Sequence, residues 1–308
     1  MNIRTLLLLH VPIGLKLENV DLERLLAPEL DPFSAQSVLS ALVTDAARIY
    51  CEKNSDWIES ARAILAKSDQ HGIRWSTLAD PDYPAGWSEL RCRPVVFSYR
   101  GEACWQTTPL LAVVGSRTPA SDSLLWMQRE LSEFLRQRNV GVVSGGARGV
   151  DQWAHRLALD CGQPTVCILP SGILNPYPDR CEDLWKRIVN KGGCIVSTCG
   201  LSEPMRKSFF HIRNRWIAGL SPGCVVVEAN RRSGSLLTAK LCVEENREVA
   251  TLPVFPTATQ GLGNLDLLEA GATMLRDHRD LSTFWDCLSE GFFQTAQSKE
   301  QEQDIHHP

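Results

Sequence analysis

The sequence contains no apolar run near the ~20 residues that a bilayer-spanning helix requires. Its N-terminal run Leu6–Leu9 is broken by His10 and Pro12 and lacks a small-residue cleavage site, so it does not read as a signal peptide. No CxxC pair occurs among the eleven cysteines. The nearest pairs, Cys161/Cys167 and Cys194/Cys199, are not followed by a second close pair of Cys or His at zinc spacing. An odd number of unpaired thiols suits a reducing compartment. The expectation is a soluble, cytoplasmic protein with free thiols and no metal. Two phosphate-binding signatures are also missing: a Walker A GK[ST] triplet, and GxGxxG with an acidic residue ~20 positions on. Dinucleotide binding and P-loop hydrolysis are thereby excluded, and no cofactor is expected.

Charge of one sign is not in excess either. Lys and Arg number 32 against 36 Asp and Glu, giving −4 at pH 7, which rules out a uniformly basic polyanion binder. The charge is uneven, however. Residues 1–108 carry 11 basic against 14 acidic side chains, residues 109–285 carry 20 against 17, and residues 286–308 carry 1 against 5. In the middle segment 16 of the 20 cations are Arg, whose planar fork grips phosphate. A local anion site inside an acidic protein follows from that bias.

What is present is a globular composition, 44% apolar and 22% charged over 308 residues, enough for about two domains. Residues 1–70 read as a small helical domain. Apolar positions recur at helical spacing through Leu22, Leu25 and Leu26, then Val38, Leu39, Leu42 and Val43, with a further helix over 57–67. Residues 71–108, punctuated by prolines, read as a connector packed on the next domain, with strand character over 94–99. From 109 to 285 short apolar strands alternate with helices. The strands are expected at 110–114, 140–143, 165–169, 194–197, 224–228, 248–252 and 273–275, with helices over 123–138 and 152–160 among those between them. That alternation predicts an α/β fold with a parallel, doubly wound sheet and helices on both faces. Residues 286–308 read as a polar, acidic, disordered tail.

In such a sheet ligands bind beyond the carboxyl ends of the strands, so the loops there carry the chemistry. Gly115-Ser116-Arg117 follows the first strand and offers a turn, a hydroxyl and a guanidinium. Ser144-Gly145-Gly146-Ala147-Arg148-Gly149 follows the second and runs into a helix, an arrangement that exposes backbone N–H groups as an anion cradle. Asp151 and His155 lie four apart on that helix, either as an acid/base pair or, as we favour, as structural residues. Arg213-Asn214-Arg215 belongs to a helix that opens near Phe210 and whose start would face an anion. Glu228 precedes the loop Ser233-Gly234-Ser235 and a helix carrying Lys240; it is read as an anchor for neighbouring Ser or Arg side chains rather than a catalyst. Trp153, Phe209, Phe210 and Trp216 are candidates to stack on unpaired bases. Several loops that each offer amides plus Arg or Lys suit a chain of phosphates better than a compact ligand.

Taken together these segments resemble the DprA/Smf family of DNA-processing proteins. Gly115-Ser116-Arg117 is similar to that family's GSR loop, and residues 144–155 to its SGxARGxDxxAH segment. Tyr177-Pro178, the RNR of 213–215 with AGLS at 218–221, Glu228-Ala229 with SGSL at 233–236, Gly263-Asn264 and Gly271-Ala272 match further motifs in chain order. The resemblance implies an extended Rossmann-type domain that binds and shields single-stranded DNA, helps load a RecA-type recombinase and works as a homodimer. By the same resemblance Arg117, Arg148, Lys240, Arg213 and Arg215 contact DNA. There are departures. Ser197-Thr198 replaces Ser-Glu, His211 stands where the family has proline, and Pro253-Val254 replaces Pro-Gly; no winged-helix domain is expected after Trp285.

The expected function is non-enzymatic single-strand DNA binding in natural transformation, since no nucleophile, base and orienting group assemble in the sequence. Three alternatives stand beside it. One is a phosphoribohydrolase-like nucleotide-processing enzyme, disfavoured because 232–240 lacks the glutamate that chemistry uses. Another is a diverged member acting in defence or on mobile elements. The last is an adaptor that recruits a protein through residues 1–68.

Overall fold

A computed structural model describes residues 57–288, apart from 79, together with residues 24 and 27. The helical expectations for residues 5–56 lie outside the described residues; of the tail expected at 286–308, residues 286–288 belong to a helix and the rest lies outside the described residues. Helix α1 (Trp57–Gln70) agrees with the helix expected at 57–67. The chain then enters a sheet whose nine described strands are ordered β1-β2-β6-β5-β4-β3-β7-β8-β9.

The strands are β1 (Arg74–Thr77), β2 (Val96–Gly101), β3 (Leu110–Val114), β4 (Gly141–Ser144), β5 (Thr165–Ile168), β6 (Cys194–Ser197), β7 (Gly223–Val226), β8 (Glu248–Thr251) and β9 (Thr273–Met274). From β6 across to β9 all neighbours are parallel. The sheet is not parallel throughout, however. β2 lies antiparallel against β6, and β1 antiparallel against β2. Residues 71–108 therefore supply the last two strands at one side of the same sheet, with β1 at its edge, as well as packing on it.

The central strands are buried on both faces, which is why they read as continuous apolar runs. Alternate side chains of β3 divide between two cores: Leu110, Ala112 and Val114 face one, Leu111 and Val113 the other. The first core is closed by α5 (Lys207–Gly219) and α6 (Gly234–Glu244), and by Trp87, Phe97 and Tyr99 from the 71–108 segment. The second is closed by α2 (residues 121–137), by α3 (Val150–Asp160) and by a helix that starts at residue 278. Helix α2 runs through Ser121–Trp126, a π-helical turn Met127–Leu131, and Ser132–Gln137. α4 (Glu182–Asn190) covers β5 and β6, and α7 (Leu262–Glu269) precedes β9.

This order fixes where a ligand can sit. The chain winds outward from β3 through β4, β5 and β6, then returns to β7 on the other side of β3. The connections leaving β3 and β7 therefore diverge and leave a crevice at their carboxyl ends. Asn264 braces that edge from one side. Its Oδ1 accepts from Ala229 N at 2.7 Å, and its Nδ2 donates to Val227 O at 3.0 Å and Leu252 O at 3.2 Å.

Candidate nucleic-acid interface

Two adjoining clefts, about 640 and 440 Å³, lie over the carboxyl ends of β3, β4, β5 and β7 and share Arg117, Ala147 and Phe210. They form one trough. Arg148 and Arg180 line the first part; Ser116, Arg213, Asn214, Asn230, Arg232, Ser233, Gly234 and Ser235 line the second. Arg117, Arg148, Arg180 and Arg232 are exposed, and no carboxylate of the described residues pairs with any of them. Other exposed arginines are neutralised locally in some places, Arg187 by Asp160 at 2.7 Å and Arg231 by Asp266 at 2.8 Å. A rim of uncompensated guanidinium groups is an anion site waiting for charge.

The floor of the trough is tied together by hydrogen bonds. Ser144 Oγ donates to Val113 O at 2.6 Å, locking β4 to β3 where the loops begin. Asp151 Oδ2 accepts from Gly145 N at 3.2 Å and Ala147 N at 3.3 Å, folding the glycine loop back on the start of α3. Gly149, at φ 82°, leaves no room for a Cβ against the carbonyls of Ser116 and Arg117, so only glycine lets the β3 and β4 loops touch here. Val150 N donates to Ser116 O at 3.1 Å across that contact. Ser233 caps α6 by accepting from Leu236 N at 3.4 Å.

Beneath the rim, Arg213 is 4% exposed and faces the buried Asp151. Burial raises the Asp151 carboxyl, against the opposing pull of Arg213 and the loop amides, and lowers Arg213. Arg213 Nε has no hydrogen-bond partner among the described residues. The guanidinium carbons of Arg213 and Arg117 lie 5.5 and 5.8 Å from the Phe210 ring centre, and Tyr177 meets that ring edge-on at 5.9 Å. Phe210 is thus an aromatic platform between cations.

The trough gathers most of the residues expected from the sequence and leaves out two. Gly115, Ser116, Arg117, Gly145, Arg148, Arg213, Asn214, Ser233, Gly234 and Ser235 line it; Ser144, Gly146 and Gly149 shape its floor. Arg215 turns the other way, onto Glu244 at 2.9 Å and onto Glu245. Lys240 sits about 9 Å along α6 from its start, with its ammonium 3.9 Å from Glu244, and does not line the trough. The cause is helix phase. α5 begins at Lys207, not near Phe210, so 213–215 fall mid-helix and residues two apart face opposite ways.

Asp151 and His155 are not an acid/base pair. His155 Nδ1 meets Thr165 Oγ1 at 2.7 Å, and burial pushes its imidazole down to about 3. Glu228 does anchor a serine, accepting from Ser123 Oγ at 2.7 Å and Ala120 N at 2.9 Å, but it counters neither Arg213 nor Arg215. Of the four aromatics, only Phe210 lines the trough; Trp216 is buried and Trp153 packs on the second core. Sequence reasoning missed Arg180, Tyr177, Asn230 and Arg232. Arg180 sits at φ 62°, a turn that propensity does not foretell for arginine, while Tyr177 lies within the Tyr177-Pro178 motif and was within reach. The ten described cysteines are free, no His/Cys/Asp/Glu cluster among the described residues is placed to hold a metal, and none of their helices is long and apolar enough to cross a membrane.

Known proteins are similar to this chain in sequence and in architecture. Protein Smf of Escherichia coli is 36% identical over 202 residues, 66% of this chain and 51% of its own length. Protein Smf of Synechocystis is 33% identical over 222 residues, 71% of this chain and 55% of its own length. The chain therefore spans about half the length of those two Smf proteins. The DNA processing protein DprA of Streptococcus pneumoniae is 34% identical over 221 residues, 71% of this chain and 76% of its own. The X-ray structure of DprA from that species superposes with a TM-score of 0.76 at 27% identity, covering 91% of this chain and 96% of that one. DprA of Helicobacter pylori, a structure described for its single-stranded DNA binding mode, gives 0.61 at 26% identity over 70% of this chain and 96% of its own. The profile of the DNA recombination-mediator protein A family matches residues 74–286, and the chain belongs to that family.

Proposed function

We propose that the trough binds single-stranded DNA, and that the chain works without catalysis, as a homodimer that shields the strand and passes it to a RecA-type recombinase. The observation that carries the reading is the unpaired guanidinium rim of Arg117, Arg148, Arg180 and Arg232 around the Phe210 ring. Guanidinium groups take successive phosphates and an aromatic face takes a base, the combination by which sequence-tolerant single-strand binders work. The single-strand binding mode of the H. pylori relative and the name of the family support the same reading. Lys240 and Arg215 stand outside the contact set in this proposal.

A mobility-shift titration over a salt series, comparing single- and double-stranded DNA, tests it. Single strands are expected to bind more tightly. Arg117→Ala and Arg148→Ala should each weaken binding for all sequences alike and lower the salt slope by about 0.7 per lost phosphate contact. Unchanged affinity in both variants would overturn the assignment of this trough.

A further inference from the structure

A second cavity, about 650 Å³, opens beside the trough at the carboxyl ends of β7, β8 and β9, between the start of α2 and the loop after β8. Its walls are mostly apolar, with Trp126, Leu252, Val254 and Phe255 among them. Phe255 is 81% exposed, the largest exposure among the big apolar side chains of the described residues. Trp126 is held in place by its indole N–H, which donates to Arg276 O at 2.9 Å. Glu228, 3% exposed, also lines the cavity. Its Oε2 takes both hydrogen bonds from the start of α2, and its Oε1 accepts none among the described residues. A buried carboxylate oxygen left unpaired is costly, and a donor supplied by a ligand would relieve that cost.

The charges exclude phosphate as the occupant. Glu228 and Asp122 are both acidic, and the one cation on the wall, Arg276, already forms a two-point pair with Asp280 at 2.7 and 2.9 Å. What fits is a flat, neutral, largely apolar group with an N–H at its edge. Position names its source. β3 and β7 end at the trough, and β7, β8 and β9 at this cavity, so the two open along the carboxyl edge of one sheet and share the end of β7.

We propose that this cavity receives one unpaired base of the strand whose phosphates lie in the trough, stacked against Phe255 and donating an amino or imino N–H to Glu228 Oε1. The inference rests on the trough reading and adds to it a base subsite beyond Phe210.

The test uses the full chain, fluorescence anisotropy, and two single-stranded oligonucleotides of equal length, one ordinary and one with an abasic backbone. Phe255→Ala should weaken the ordinary strand about ten-fold, within the range of base–aromatic stacking, and leave the abasic strand within about two-fold. In Glu228→Gln the amide oxygen must keep the bonds to Ala120 and Ser123, so its NH₂ takes the place of Oε1 and repels the base N–H; the ordinary strand again loses affinity selectively. Because Glu228 also braces α2, its variant is accompanied by a thermal melt; Phe255 is exposed and its truncation leaves the fold intact. Arg148→Ala should weaken both strands alike. If Phe255→Ala changes neither strand, or both equally, the base subsite is wrong while the trough stands, and a cationic side chain of a protein partner becomes the occupant to seek. If wild type binds neither strand, or Arg148→Ala has no effect, the trough reading itself fails.

Discussion

The guanidinium of Arg213 occupies the space that a side chain on Gly145 would fill. The glycine is therefore needed less for an unusual turn than to let a buried cation lie flat beneath the loop, facing Asp151. Gly145→Ala forces one of the two to move in a packed interior. Such overpacking costs about 1–3 kcal/mol, and displacement of the glycine loop should also weaken single-strand binding. Urea denaturation and the same mobility-shift assay check both. An unchanged midpoint would show that Arg213 is free to swing out.

Arg215 separates stability from binding. Its side chain is 15% exposed and pairs with Glu245, itself only 4% exposed. Arg215→Ala leaves that carboxylate buried without its partner, a class of change that costs about 3 kcal/mol, yet it removes nothing from the trough. Denaturation should report a large loss, while the salt slope of DNA binding stays at the wild-type value. Arg148, exposed and unpaired, should behave in the opposite way: no loss of stability, and a shallower slope.

The contrast between Arg213 and Arg215 shows what the sequence makes legible. Strands β3, β5, β6 and β7 announce themselves as short apolar runs because the sheet is covered on both faces, and the glycine loops stand out at the ends of β3 and β4. β1, with the sequence RWST, gives no such signal, since an antiparallel edge strand is defined by its partner rather than by its own pattern. The phase of α5 was within reach: once the helix is begun at Lys207, 213 and 215 cannot share a face. Arg180 was not, because its place on the rim depends on a left-handed turn that the residue itself does not favour. The cavity at Glu228 was hidden for another reason. It is made by elements far apart in the chain, α2 and the β8–α7 loop, and only the fold brings them together.

Asn264 is the brace of the same edge. One amide satisfies a backbone N–H and two carbonyls at the ends of β7 and β8, all buried. Asn264→Ala strands those groups and should cost about 1–3 kcal/mol. Asn264→Asp should be worse, since its carboxylate faces two carbonyls that need donors. Thermal melts of the two variants, ranked Ala above Asp, check the argument; the reverse order would mean that only the bond to Ala229 counts.

His155 makes stability depend on pH. Thr165 Oγ1 spends its own proton on Val142 O at 2.8 Å, so His155 must donate from Nδ1, leaving Nε2 buried without a partner. Burial first, then repulsion from Arg156 and Arg213, pushes the imidazole from 6.5 down to about 3. Above about pH 6.5 the folded and unfolded chains both hold it neutral, and it adds no slope. Below that the unfolded chain takes up a proton that the native site refuses. Its contribution to stability is thus present at neutral pH and lost as the pH falls toward 3, by at most about 1.4 kcal/mol per pH unit. His155→Asn keeps a donor for Thr165 and removes the titration. Wild type should therefore lose stability more steeply than the variant between about pH 6.5 and 4, as followed by urea denaturation at several pH values. Parallel curves would mean that the native imidazole takes up its proton in place, and that the burial described here does not hold it neutral.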